Sequence, residues 1–164
     1  LQVVEFRGNV QTRMKKLADG VATATFLAMA GLNRLGMAQV ARSAIAPEEM
    51  LPAVAQGAIG IERRADDSRA ETMLASIHHI ETGERLAAER AFLAALDGSC
   101  ETPIAGLATL EGSTIRLRGE ILRPDGSEVI TGEARAPITD AASMGADLAR
   151  QLLAQAPKGF FDWR

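Results

Sequence analysis

The stretch Ile104–Arg135, IAGLATLEGSTIRLRGEILRPDGSEVITGEAR, decides the fold. Residues 104–110, 114–118 and 128–135 alternate or cluster apolar and β-branched side chains as strands do. The joints between them are Glu111-Gly112-Ser113 and Pro124-Asp125-Gly126-Ser127. Glycine there supplies positive φ, and Asp and Ser bond their own backbone, so both joints read as tight turns. Joints this short pair successive strands antiparallel. Working outward, residues 82–96 carry Leu86, Phe92, Leu93 and Leu96 as a helical apolar stripe, with Glu81 and Arg85 an i,i+4 pair. Gly98 fits the C-terminal cap of that helix. Residues 141–154 carry Met144, Leu148 and Leu152 at helical spacing, with Asp140 as candidate N-cap. Residues 80–156 therefore predict α-β-β-β-α, a three-stranded antiparallel sheet with helices on one face.

The N-terminal part has another character. Residues 1–6, LQVVEF, and residues 23–29 read as strands, and residues 10–18 and 30–35 as helices. Asn9 is the expected N-cap and Gly20 the expected C′ residue of the first helix. The order β-α-β-α suits part of a parallel α/β layer. Residues 47–52 form a connector, and Gly57-Ala58-Ile59-Gly60-Ile61-Glu62 reads as a short buried strand with room for unusual dihedrals. Asp66-Asp67-Ser68 offers N-caps for a helix over 69–78. The chain opens with Leu1 inside a strand-like run, which predicts a fragment of a longer protein.

Composition bounds the function. The 164 residues are 47% apolar and 24% charged, as in a globular protein. No apolar run reaches the ~20 residues of a membrane helix. The net charge of −3 argues against a general nucleic-acid binder. That charge is split: residues 1–46 hold six basic and two acidic residues, +4, and residues 47–164 hold twelve and nineteen, −7. The asymmetry suggests that the first segment meets anions, although clustering on a solvated face is the plain alternative. One cysteine leaves no internal disulfide and no Cys-based zinc site. It is compatible with a reducing compartment.

Few residues carry candidate chemistry. His78-His79 are adjacent, so on a helix they diverge by ~100° and do not share a metal. Gly57 and Gly60 belong to neither phosphate-loop motif. Cys100 sits just past a helix C-terminus between Asp97 and Glu101, surroundings that disfavour a thiolate. It suits a small buried residue, or a thiol modified once, better than a protease-type nucleophile. Arg7 and Arg13 flank a strand-to-helix turn, where free N–H groups already favour anions. Arg34 follows the second strand in the same kind of place. Guanidinium adds bidentate carboxylate recognition, against the alternative of three solvated arginines.

Several blocks resemble the porphobilinogen deaminase (hydroxymethylbilane synthase) family. They are RGNVQTR at 7–13, LAMAGLNRLG at 27–36, LPAVAQGAIGIE at 51–62, AERAFL at 88–93 and GSC at 98–100. The resemblance implies the C-terminal part of a three-domain enzyme. Residues 1–53 would be the later part of a periplasmic-binding-protein-like α/β second domain. Residues 54–79 would return to a mostly absent first domain, and 80–164 would form the small α+β third domain. It implies condensation of four porphobilinogen units head-to-tail onto a cysteine-linked dipyrromethane cofactor with loss of ammonia, then hydrolytic release of hydroxymethylbilane. Cys100 matches the cofactor cysteine. Arg7, Arg13 and Arg34 match positions that bind substrate and cofactor carboxylates, and Gly31, Gln56 and Gly57 match cofactor-binding positions. Asn33 departs from the basic residue that many members have before the binding arginine. The catalytic aspartate and the paired-arginine turn of the family lie outside this sequence, so the chain alone is expected to be inactive. The resemblance further implies a cytoplasmic, monomeric intact enzyme with no nucleic-acid, membrane or metal partner. A fragment of it could self-associate or pair with the N-terminal part. The competing reading is a non-catalytic carboxylate-binding module that reuses the fold.

Overall fold

A computed structural model describes residues 2–98 and 102–161. The chain divides into two compact units, Leu1–Ile45 and Ala46–Arg164.

In the first unit, α1 (Val10–Ala18) is closed at both ends by local chemistry. The Asn9 side chain accepts from the Thr12 N–H at 2.9 Å. At the other end Gly20, at φ +74°, follows the C-cap, and the Val21 N–H donates to Lys16 O at 3.0 Å. That is the expected left-handed C-terminal cap. The second helix, α2 (Met29–Arg34), spans six residues and buries Leu32. A 3₁₀ turn follows at Ala38–Val40.

Residues 2–6 and 23–29 do not form the expected strands, and neither do 57–62, while Leu1 of the first lies outside the described residues. A strand exists only when a neighbour satisfies its N–H and C=O groups, and among the described residues none pairs with these segments. One of their carbonyls, Phe26 O, accepts instead from Arg13 at 3.3 Å, and just beyond the first segment Lys16 donates to Arg7 O at 2.8 Å and Arg13 to Gly8 O at 2.9 Å.

The second unit holds the sheet. Before it come α3 (Ser68–Ala75), capped by Asp67 onto the Ala70 N–H at 2.9 Å, and α4 (Ile80–Ala95). His79 caps α4, its Nδ1 accepting from the Thr82 N–H at 3.3 Å, so one residue of the histidine pair is a helix terminator. The strands are β1 (Ile104–Glu111), β2 (Thr114–Leu122) and β3 (Val129–Pro137), antiparallel in the order β1-β2-β3. The last helix, α5, runs over Ala141–Gln155. Asp140 does not cap it with its side chain. Its carboxylate accepts from the Thr139 hydroxyl at 3.2 Å, and the preceding 3₁₀ turn, Ile138–Asp140, already sets the entry of the chain.

Both α4 and α5 cover one face of the sheet, as the pattern of 80–156 predicts. The covered face is crossed by a row of glycines, Gly106, Gly119 and Gly132, each paired with the next. A Cβ on Gly119 would lie 2.5 Å from Phe92 Cζ, and one on Gly132 2.7 Å from Leu152 Cδ2. The row is therefore a slot into which the helix side chains sink. Phe92, Leu96, Ile115, Leu117, Ile121, Leu148 and Leu152 form the fully buried centre. A Cβ on Gly145 would collide with the Ala88 carbonyl, so the backbones of α4 and α5 come together there with no side chain between them.

Residues 51–55 seal the β1 edge. Gly106 N–H donates to Pro52 O at 2.9 Å, Ala53 forms a bridge with Ala105, and Leu51 and Val54 are buried. The open face of the sheet carries a charge lattice instead. Arg116 and Arg135 both pair with Glu133, Arg135 reaches Glu111 at 3.4 Å, and Arg118 reaches Glu48 at 3.7 Å.

Candidate functional site

The site builds from the turn Gly8-Asn9-Val10. Gly8 sits at φ +133°, a conformation glycine adopts readily, and a Cβ there would press on Thr12. The turn aims the free N–H groups at the start of α1, and its cap leaves others of them open to an anion.

Arg7, the last extended residue before the turn, is exposed and among the described residues pairs only with Glu5. An ion pair exposed to this degree contributes little and exchanges readily. Arg13 lies one turn into α1 and curls back. Its Nε donates to Gly8 O at 2.9 Å and its Nη1 to Phe26 O at 3.3 Å. Two of its five N–H groups thus hold two stretches of backbone together, leaving the rest of the fork for a ligand. Gly31 faces the same region, since a Cβ on it would be 3.8 Å from Val10 Cγ2. Arg34, three residues further along α2, is exposed and has no hydrogen-bond or ion-pair partner among the described residues. The structure thus gathers Arg7, Arg13 and Gly31 about one turn and sets Arg34 in the next helix, with Lys16 alongside.

Gln56 and Gly57 lie in the second unit. Both are exposed, and Gly57 has φ +80°. The preceding Ala55 is also left-handed, at φ +58°, where a non-glycine residue is strained. Its N–H donates to Glu89 Oε2 at 2.7 Å. Glu89 is 6% exposed, and its second oxygen accepts the Ala108 N–H at 2.8 Å. Sequence reasoning missed this carboxylate. Its signal was a charge on the apolar stripe of α4, three residues before Phe92.

Cys100 lies outside the described residues. Asp97, at φ +51°, is the left-handed residue after α4, and Gly98 N–H donates to Leu93 O at 3.0 Å. The expected glycine cap is shifted by one. Asp97 takes the left-handed position, and Gly98 is small because a Cβ would lie 2.5 Å from Leu93 Cδ1 and 2.7 Å from Ile104 Cδ1. On the far side, Leu122 N–H donates to Pro103 O at 3.0 Å. The described residues on either side of Cys100 are thus the C-terminal end of α4 and the start of β1.

An open cavity of about 340 Å³ lies on the other face of the sheet. Its walls include Glu48, Glu49, Glu120 and Glu133 against Arg118. Four carboxylates to one guanidinium make it unsuited to a polycarboxylate.

Fold and site define a mixed α/β protein whose N-terminal unit concentrates guanidinium groups about a helix start and whose C-terminal unit is a helix-covered antiparallel sheet. Residues 1–72 match the family model described as porphobilinogen deaminase, dipyromethane cofactor binding domain. Residues 84–154 match porphobilinogen deaminase, C-terminal domain. The chain is also 68% identical over 163 residues, 99% of its length, to the porphobilinogen deaminase of Paracoccus denitrificans (strain Pd 1222). It belongs to the porphobilinogen deaminase family. It spans about half, 52%, of that relative's length. No helix among the described residues is long and apolar enough to cross a membrane.

Proposed function

We propose that this chain is the carboxylate-gripping and cofactor-bearing part of a hydroxymethylbilane synthase. The synthase condenses four porphobilinogen units with loss of ammonia and releases linear hydroxymethylbilane by hydrolysis. The agreement of both family models, in order along the chain, carries the reading. The donor set fits a dipyrromethane group, whose side chains are carboxylates. Arg34 has no partner among the described residues, Arg7 has only an exposed one, and Arg13 has N–H groups to spare. When bound through Cys100, dipyrromethane supplies the primer on which the polypyrrole grows. Arg7 and Arg34 attract acetate and propionate groups, and each charge-assisted hydrogen bond contributes about 1.5–3 kcal/mol. Arg13 combines that grip with holding the turn in shape. Gly31 in the first unit and Gly57 in the second carry no side chain to obstruct a ligand, and Gln56 offers its side-chain amide.

The same reading makes 1–53, 54–79 and 80–164 the working divisions of the chain. It seats residues 54–79 against the portion of the family protein that this chain does not span. Ile59 and Ile61, 89% and 57% exposed, are apolar surface available for that contact. It also places the enzyme in the cytoplasm, where a reducing environment keeps the lone thiol free for thioether formation.

The test is mass and colour. Co-produced with an N-terminal half of the Paracoccus protein, the chain is expected to gain a dipyrromethane adduct on Cys100 that reacts with Ehrlich's reagent. Carboxylate binding that persists with no adduct would return the reading to a binding module. Alone, the chain is expected to make no hydroxymethylbilane, and bilane formation by the isolated chain would overturn that expectation.

A further inference from the structure

We infer that Glu89 is a positioning residue that sets the Gln56-Gly57 turn, an inference that rests on the reading of Gln56 and Gly57 as ligand-binding. A buried carboxylate is costly unless it is fully hydrogen-bonded. Glu89 has no ion-pair partner among the described residues, and its solvation is replaced by two backbone N–H groups from distant parts of the chain. The Ala108 N–H points out of the free side of β1, two residues beyond Gly106, whose N–H is taken by Pro52 O. Glu89 therefore continues the edge that residues 51–53 begin. Where their carbonyls end, one carboxylate oxygen replaces the next.

The other oxygen holds the segment at its departure point. Ala55 is left-handed, and Gln56 and Gly57 follow immediately. Without the Ala55 N–H bond, the backbone has reason to relax toward negative φ, which would re-aim both following residues. Rigid α4 is thus coupled to a site residue through one atom. A carboxylate is the side chain of this size that offers two acceptors, and glutamine offers one acceptor and one donor.

The experiment compares the chain with its Glu89→Gln variant by backbone amide exchange and by porphobilinogen titration followed at the Gln56 and Gly57 amides. The Ala55 amide is expected to exchange roughly tenfold faster or more, and porphobilinogen to bind about fivefold or more weakly, losses typical of a broken charge-assisted bond. The β1–β2 ladder amides are expected to keep their protection. In an Ala55→Gly background the substitution should cost less, because glycine holds positive φ unaided. A purely structural role for Glu89 would not show that coupling. Unchanged Ala55 exchange and unchanged porphobilinogen binding in a folded variant would overturn the inference. If the parent chain binds no porphobilinogen, the functional reading fails, and the exchange and coupling results still decide the positioning role. Should Glu89→Gln not fold, Glu89→Asp keeps the charge but is too short to reach both groups, and must show the same loss at Ala55 or Ala108.

Discussion

Two arginines that look alike in sequence differ in burden. Arg13 braces the carbonyls of Gly8 and Phe26, whereas Arg34 braces nothing described. Arg34→Ala is expected to weaken porphobilinogen binding about tenfold with thermal stability unchanged within about 0.5 kcal/mol. Arg13→Ala is expected to lower both, and paired titration and thermal melts would separate the cases. Electrostatics on the open sheet face gives a pH signature. The hydrogen bond from Arg116 holds Glu133 below its ordinary value of 4.5. A depressed folded-state pKa means that its stabilisation is present above about 4.5 and is lost as the pH falls through the lowered value. Glu133→Gln should therefore flatten the acid limb of the stability curve, read by urea unfolding between pH 5 and 2. The turn that places Arg7 and Arg13 was legible because its Asn9 cap is local to α1. Glu89 was not, since its two partners lie 34 and 19 residues away.

At the level of elements, what was legible was what is local. The caps Asn9 and Gly20 delimit α1 at Val10–Ala18, the range expected. Asn9→Ala is expected to cost about 1 kcal/mol, measurable as faster amide exchange through α1. The expected second strand, 114–118, stops four residues short of Leu122 because Gly119 interrupts the apolar alternation. In the structure that glycine is in the strand, and its missing side chain is filled by Phe92. The expected strands at 1–6, 23–29 and 57–62 have the right composition, but pairing is a property of two segments, and no described partner is present. The α4–α5 crossing offers a stringent test. Gly145→Ala places a methyl against backbone that side-chain motion cannot relieve, so a loss of about 1–3 kcal/mol is expected by chemical denaturation.

Across the whole molecule, burial is uneven. Among the described residues up to Ile45 only Leu32 is buried, whereas the second unit holds a continuous core from Val54 to Phe160. The apolar burial that stabilises folding thus lies almost wholly in the second unit. Residues 2–45 are expected to lose amide protection, and to be cut by protease, at lower urea than residues 80–156. The charge split of +4 and −7 follows the same division, with Arg7, Arg13 and Arg34 on the unit that has least core. The glycine row under Phe92, Leu148 and Leu152 limits how such a chain can drift. A larger residue at position 119 is admissible only after the ring at position 92 has shrunk. Each order of change passes through a misfit or a cavity, so these positions are expected to vary together or hardly at all. A row of absent side chains would then be among the slowest-changing features of this lineage.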